Sequence, residues 1–75
     1  RYDEALDTLD RATTEFPDDA GLQVFRAMTL YNAGNGKEAV ETLLNILVQT
    51  TSDPAISRYR AALLEYSADL DRTWP

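Results

Sequence analysis

The side chains that could do chemistry in this sequence are carboxylates, because its 75 residues contain no cysteine and no histidine. Thiolate nucleophiles, imidazole bases, disulfides and the usual zinc ligands are therefore excluded. Two close carboxylate pairs, Asp18-Asp19 and Asp69 with Asp71, could act as a general acid and base. That chemistry needs a buried setting that shifts one pKa, and nothing around either pair predicts one. We expect Asp19 to cap a helix and Asp69 and Asp71 to lie in solvent.

Phosphate binding, nucleic-acid binding and membrane insertion are also disfavoured. Gly34-Asn35-Gly36 lacks the preceding strand and the glycine spacing of a phosphate-binding loop. Thirteen acidic residues against seven basic ones give a net charge of −6, which repels nucleic acid and anionic lipid. The most apolar run, residues 46–48, is far too short to cross a bilayer. The sequence thus predicts a non-enzymatic chain with no catalytic residue, cofactor, metal, nucleic-acid partner or membrane span.

Apolar residues at helical spacing predict four helices that would position any functional side chain. The first covers residues 2–16 and stops before Pro17, which cannot continue the hydrogen-bond ladder. The second covers residues 20–33 and is apolar on two sides, as expected of an inner helix. Asn35 and Glu38 form a capping box for the third, residues 37–49, and Asp53 with Pro54 begins the fourth. The third helix is expected to carry these residues inward: Ala39, Val40, Leu43, Leu44, Ile46 and Leu47.

The end of the fourth helix has two interpretations. Apolar residues near the end of the sequence are spaced by four, three, four and four positions, which favours one continuous helix to the terminus. These residues are Tyr59, Leu63, Tyr66, Leu70 and Trp74. The alternative places a turn at Ala68-Asp69 and lets residues 70–74 begin another outer helix. We favour the continuous helix, because a long last helix would cover the apolar face that ends a stack of repeats.

The sequence repeats itself at an offset of 34 residues, the period of a helical-hairpin array. The pairs that match include Ala5/Ala39, Leu9/Leu43, Arg26/Arg60, Ala27/Ala61 and Leu30/Leu64. Ala27 and Ala39 are small residues on otherwise bulky stripes, where two helix backbones can approach closely.

These features together resemble the tetratricopeptide repeat. YDEALDTLDRATTEFPDD is similar to an outer helix and its exit, AGLQVFRAMTLYNAGNGKEAVETLLNILVQT to a complete repeat, and PAISRYRAALLEY to another inner helix. The resemblance implies an all-α fold of antiparallel hairpins stacked as a short right-handed solenoid. It implies one domain over residues 1–75, cut from a longer chain and divided into residues 1–19, 20–53 and 54–75. The sequence departs from the family pattern at Gln23, Arg26, Ile46 and Thr51.

The resemblance also implies a function: inner helices of this family line a groove that binds a peptide or helix of another protein. Carried over by position, the partner-binding residues are Val24, Met28, Tyr31, Asn32, Arg58, Ala62, Glu65 and Tyr66. Methionine, tyrosine and arginine suit protein contacts. The clamp with which some members grip a chaperone carboxylate is missing, because Val24, Met28, Ala55 and Tyr59 occupy its places.

Three alternatives to groove binding remain open at this point. Met28 and Tyr31 could serve ordinary packing between helices, and Arg58 with Glu65 could be a solvated pair. The chain could self-associate weakly through the apolar stripe of Tyr2, Leu6 and Leu9, which lacks an inner helix of its own repeat. It could also be a structural spacer in a larger protein.

Overall fold

The structure is a computed structural model that describes residues 1–72. Within these residues the chain is all-helical and contains no strand, which confirms the predicted all-α class. The helices are α1 (Tyr2–Glu15), α2 (Ala20–Asn32), α3 (Gly36–Thr50), α4 (Pro54–Ser57) and α5 (Arg60–Ala68).

Three helix starts follow from local side-chain capping, as the sequence predicts. The Leu22 backbone N–H donates to the Asp19 carboxylate (3.2 Å) at the start of α2. The Glu38 N–H donates to the Asn35 side chain (3.3 Å) at the start of α3. Asp53 accepts from the Ala55 N–H (2.8 Å) ahead of α4. Each cap satisfies a backbone donor that the first turn of a helix leaves without an intrahelical partner.

The helices lie side by side in a thin array whose Cα atoms span 38 × 26 × 15 Å. The closely packed pairs are α1 with α2, α2 with α3, and α3 with α5. The buried core lies where α2 meets α3: Ala27, Leu30 and Ala39 are each less than 5% exposed, and Leu6 of α1 packs against them. The two alanines therefore do meet, and their small side chains allow the backbones to approach closely.

The prediction that the fourth helix is continuous is wrong. The observed helix breaks at Arg58 and Tyr59, between α4 and α5, and ends at Ala68, where the alternative interpretation placed a turn. Asp69 is extended, with φ −156° and ψ 102°. The helix ends where two carboxylates accept hydrogen bonds from backbone donors that a longer helix would use. The Leu70 N–H donates to Glu41 (2.8 Å), and the Asp71 N–H donates to Asp69 (3.1 Å). The Trp74 end of the expected stripe lies outside the described residues.

The third helix also departs from its predicted orientation. Val40, Leu43 and Leu47 were expected to point inward, but they are 42%, 42% and 39% exposed. The reason is the position of α5, which packs on a different side of α3. There the Arg60 guanidinium donates to the Val48 carbonyl (3.2 Å), and Glu41 accepts from Leu70.

Candidate functional site

The predicted binding residues on α2 form an exposed, partly apolar face. Met28 is 53% exposed and Tyr31 is 70% exposed, although Ala27 and Leu30, on an adjacent side of the same helix, are buried. Asn32 is also exposed, and Val24 is half-buried. Phe25, which the sequence analysis did not select, adds an aromatic ring that is 60% exposed. This helix thus presents large apolar side chains and an amide to solvent.

The other predicted binding residues lie at the α4–α5 break and on α5. Arg58 is exposed, and its guanidinium lies 5.8 Å from the centre of the Tyr59 ring, within cation–π range. Ala62, Glu65 and Tyr66 are half-buried. The carboxylate of Glu65 lies 3.6 Å from Arg72.

The structure brings the predicted residues together within each group but does not pack the two groups against each other. α2 and α5 each pack against α3, and neither is a close neighbour of the other. A ligand that contacted both groups would therefore have to extend past α3.

A charged network crosses α1, α2 and α3. The Arg26 guanidinium donates to Asp10 of α1 (2.6 Å) and to Glu38 of α3 (3.0 Å), and its side chain is only 24% exposed. The hydrogen bond with Asp10 is the main cause of the raised pKa of Arg26; burial opposes it, and the hydrogen bond with Glu38 adds a smaller increase. An open groove of about 520 Å³ lies over this network, lined also by Thr13, Gln23 and other polar residues. The network fixes the relative position of three helices.

A second charged cluster anchors the end of α5. The Lys37 ammonium contacts the carboxylates of Glu41 (2.7 Å) and Asp69 (3.2 Å). The hydrogen bond with Glu41 is the main cause of the raised pKa of Lys37. Hydrogen bonds from Lys37 are likewise the main cause of the lowered pKa values of Glu41 and Asp69. These contacts join the first turn of α3 to the segment that follows α5.

Comparison with known proteins places this helical array in a family. The family model described as tetratricopeptide repeat matches residues 1–63. The chain belongs to the tetratricopeptide repeat family. A comparison with curated proteins finds no match. Tetratricopeptide repeats generally mediate protein–protein interaction, which is the function class that the sequence pattern implies.

Two of the departures from the tetratricopeptide pattern acquire a structural explanation. Arg26 lies where the pattern has a large apolar residue, and it pairs with Asp10 and Glu38 across two helix interfaces. Gln23, one turn earlier, donates to the Pro17 carbonyl (3.3 Å) in the loop between α1 and α2. The sequence analysis missed this network, although an arginine at an inward position indicates that a carboxylate must lie nearby.

Carboxylates of both pairs considered for acid–base chemistry make contacts that stabilise the fold. Asp19 caps α2, and Asp69 accepts hydrogen bonds from Lys37 and the Asp71 backbone. Among residues 1–72, no cluster of three or more acidic side chains has metal-binding geometry. Over the same residues, no helix combines the length and apolarity that crossing a bilayer requires.

Proposed function

We propose that this tetratricopeptide repeat chain binds a peptide or a helix of a partner protein along α2, with residues of α5 contributing at the edge. The observation that carries the proposal is the exposure of Met28 and Tyr31 at the middle and end of a helix that buries Ala27 and Leu30 on an adjacent side. Side chains of this size and type dominate the energetics of many protein interfaces. Asn32 adds a hydrogen-bonding group beside them, and Arg58 adds a cation farther along the chain.

Self-association through the stripe on α1 has weaker support. Leu6 of that stripe packs against the core, and Leu9 is half-buried, so that Tyr2, at 49%, is its one strongly exposed member. Light scattering at high protein concentration tests this alternative, since a monomer would argue against it. The spacer alternative predicts that deletion of this segment from a parent protein alters the arrangement of that protein's remaining parts and leaves its binding activity intact.

The test of peptide binding begins with selection of a linear peptide from a random library displayed against the 75-residue chain. Isothermal titration calorimetry then compares that peptide on the wild type and on the double variant Met28→Ala/Tyr31→Ala. We expect affinity to fall about 10- to 100-fold, the loss typical of removing one or two central interface side chains.

A matched control keeps this test specific to α2. The double variant Val40→Ala/Leu43→Ala also truncates two exposed apolar side chains, but on α3. It should bind the selected peptide with nearly wild-type affinity. Equal losses in both double variants, or a loss in the control alone, would count against binding along α2.

A further inference from the structure

A stripe of three apolar side chains on α3 is left partly uncovered within residues 1–72. Val40, Leu43 and Leu47 are spaced by three and four residues, so they share a helix face and extend over about 10 Å of axis. Each is about two-fifths exposed. α5 and the segment after it contact α3 at Val48 and Glu41, about a third of a turn around the helix from these side chains. We call the uncovered surface the α3 stripe.

The internal repeat identifies a segment of the same chain that matches the α3 stripe. At the offset of 34 residues, Val40 corresponds to Leu6 of α1, and residues 54–66 correspond to α2. Leu6 packs against the buried cluster that contains Ala27 of α2. The counterpart of Ala27 is Ala61 of α5. By this correspondence, the helix that matches the α3 stripe is α4 joined to α5, with Ala61 at the close approach.

Ala61 lies at the surface in the structure. Ala27 is 1% exposed where α2 meets its neighbours, whereas Ala61 is exposed on α5. The chain therefore leaves in solvent two surfaces that the repeat matches to each other, the α3 stripe and the side of α5 that carries Ala61. Bringing them together would remove apolar area from water, which is the main driving force for packing of helices.

The break between α4 and α5 allows this movement. Arg58 has φ −62° and ψ −23°, and Tyr59 has φ −102° and ψ 16°, so both lie close to the right-handed helical region. Their counterparts in α2, Val24 and Phe25, lie inside an unbroken helix. A small change in the backbone dihedral angles of Tyr59 would therefore join α4 and α5 and turn α5 about its own axis.

One difference between the two repeats favours the arrangement seen in the structure. Arg26 of α2 donates to Asp10 of α1 (2.6 Å), and the counterparts of these two residues are Arg60 and Leu44. Over the α3 stripe, Arg60 would thus have leucine where Arg26 has a carboxylate, and a half-buried charge without a partner is costly. In the structure Arg60 instead donates to the Val48 carbonyl (3.2 Å).

Contacts after the end of α5 favour the same arrangement, but only weakly. Lys37 contacts Asp69 (3.2 Å), and the Leu70 N–H donates to Glu41 (2.8 Å). The side chains of Lys37 and Asp69 are 45% and 60% exposed. Ion pairs as exposed as this one contribute little to stability, so the contact can break at small cost.

We propose that α4 and α5 have a second docking position in this chain, in which they join into one helix and cover the α3 stripe as α2 covers α1. The arrangement in the structure is the predominant one, and the second position is a minor population in exchange with it. The proposal rests on the internal repeat and not on peptide binding along α2. Each of the two proposals can therefore fail its test without affecting the other.

The second position would change how the two groups of predicted binding residues are related. In the structure the groups lie on helices that do not pack against each other. At the offset of 34 residues the α2 group corresponds, in order, to the second group: Arg58, Ala62, Glu65 and Tyr66. In the second position this group would have the relation to α3 that the α2 group has to α1. Exchange between the two positions is thus a device that could regulate which of these side chains meet one ligand.

The test traps the second position with a disulfide. The chain contains no cysteine, so an introduced pair supplies its only thiols. Val40→Cys/Ala61→Cys is oxidised under mild conditions and compared with Val40→Cys/Ala62→Cys. Ala62 corresponds to Met28, which lies outside the buried cluster of α2. Because disulfide geometry is specific, we expect the Ala61 pair to oxidise at least about tenfold faster than the Ala62 pair.

Hydrogen exchange then shows whether the disulfide has displaced α5. The Leu70 N–H donates to Glu41 in the structure, and movement of α5 onto the α3 stripe would break this bond. We expect the Leu70 amide to exchange at least about tenfold faster in the oxidised Val40→Cys/Ala61→Cys chain than in the reduced one. Reduction of the disulfide should restore the slow rate.

A charge substitution tests the register of the second position. Leu44→Asp gives Arg60 the carboxylate that Asp10 gives Arg26, and Leu44→Asn is the matched control without the charge. In the Val40→Cys/Ala61→Cys background, the aspartate should speed disulfide formation at least about threefold relative to the asparagine. Circular dichroism checks that all variants are folded, and Leu43→Cys replaces Val40→Cys if the latter is not.

Any one of four outcomes contradicts the proposal. Equal oxidation of the Ala61 and Ala62 pairs would mean that α5 moves without a second position. Unchanged exchange of the Leu70 amide would mean that the disulfide forms without displacing α5. Equal rates for Leu44→Asp and Leu44→Asn would exclude the register that the repeat predicts. A disulfide between two chains, seen as a covalent dimer, would make a second copy the occupant of the α3 stripe.

Discussion

Two alanines related by the internal repeat should respond very differently to enlargement. Ala27 and Ala61 occupy the same position in the matching segments RAMTL and RAALL. Ala27 is 1% exposed and packs with Leu30 and Ala39, whereas Ala61 is exposed on α5. The paired substitutions Ala27→Leu and Ala61→Leu add the same three carbon atoms at corresponding positions of the repeat.

The expected magnitudes follow from these surroundings. At Ala27 the added carbons must separate α2 from its neighbours, and overpacking of this kind costs about 1–3 kcal/mol. For a domain of this size, a loss of about 2 kcal/mol lowers Tm by roughly 8–16 °C. At Ala61 the added carbons enter solvent, so the free energy of unfolding should change by no more than about 0.5 kcal/mol.

Urea denaturation and thermal melts followed by circular dichroism measure both variants against the wild type. Helix propensity differs little between alanine and leucine, so the difference between the two variants reports packing. A loss at Ala61→Leu as large as that at Ala27→Leu would refute the reasoning. It would mean that α5 covers α3 in the way that α2 covers α1.

Two further predictions concern the turn between α2 and α3 and the charged cluster at the end of α5. Gly34 has φ 88°, so Gly34→Ala should destabilise the fold by about 1–2 kcal/mol in urea titrations. Gly36→Ala, whose new methyl carbon would meet only the Tyr31 ring at 3.8 Å, should be neutral or stabilising; equal losses would contradict the turn geometry. The pKa values of Glu41 and Asp69 are lowered, so the stability that they contribute is present above their unfolded values and is lost as pH falls below about 4. Lys37→Met should flatten that acid loss in pH-dependent urea titrations, and identical profiles for variant and wild type would argue against this pairing.

Features decided by neighbouring residues could be predicted from the sequence. The caps at Asp19, Asn35 and Asp53 involve backbone donors only two or three residues away. The contact between Ala27 and Ala39 needs only one tight turn between two helices. Periodicity and capping chemistry contain this information, so the helices from α1 to α3 and the start of α4 agree with the prediction.

Features decided by distant residues could not be predicted in this way. α5 is placed by contacts of Lys37 with Asp69 and of Glu41 with Leu70, which are separated by 32 and 29 positions in the sequence. Apolar spacing gives the face of a helix that tends to be buried, but it does not say which neighbour covers that face. The inward orientation expected for Val40 failed for this reason.

The same distinction between neighbouring and distant residues applies to the candidate site. Met28 and Tyr31 are three residues apart and share a side of one helix, so spacing alone groups them. Whether residues of α5 lie beside them depends on how α5 packs, which the repeat pattern alone does not determine. The residues of the α2 face were thus predictable as a group, while their relation to Tyr66 was not.

The concentration of the core in one hairpin has a consequence for how the chain folds. Ala27, Leu30 and Ala39 lie within thirteen consecutive positions, so the principal buried contacts close only a short loop. Such local contacts carry a small entropic cost and favour rapid folding, on the microsecond to millisecond scale. The hairpin of α2 and α3 is expected to form first, and the flanking helices α1 and α5 then dock onto an existing surface. We therefore expect temperature-jump measurements to show the hairpin of α2 and α3 forming before α1 and α5 become ordered.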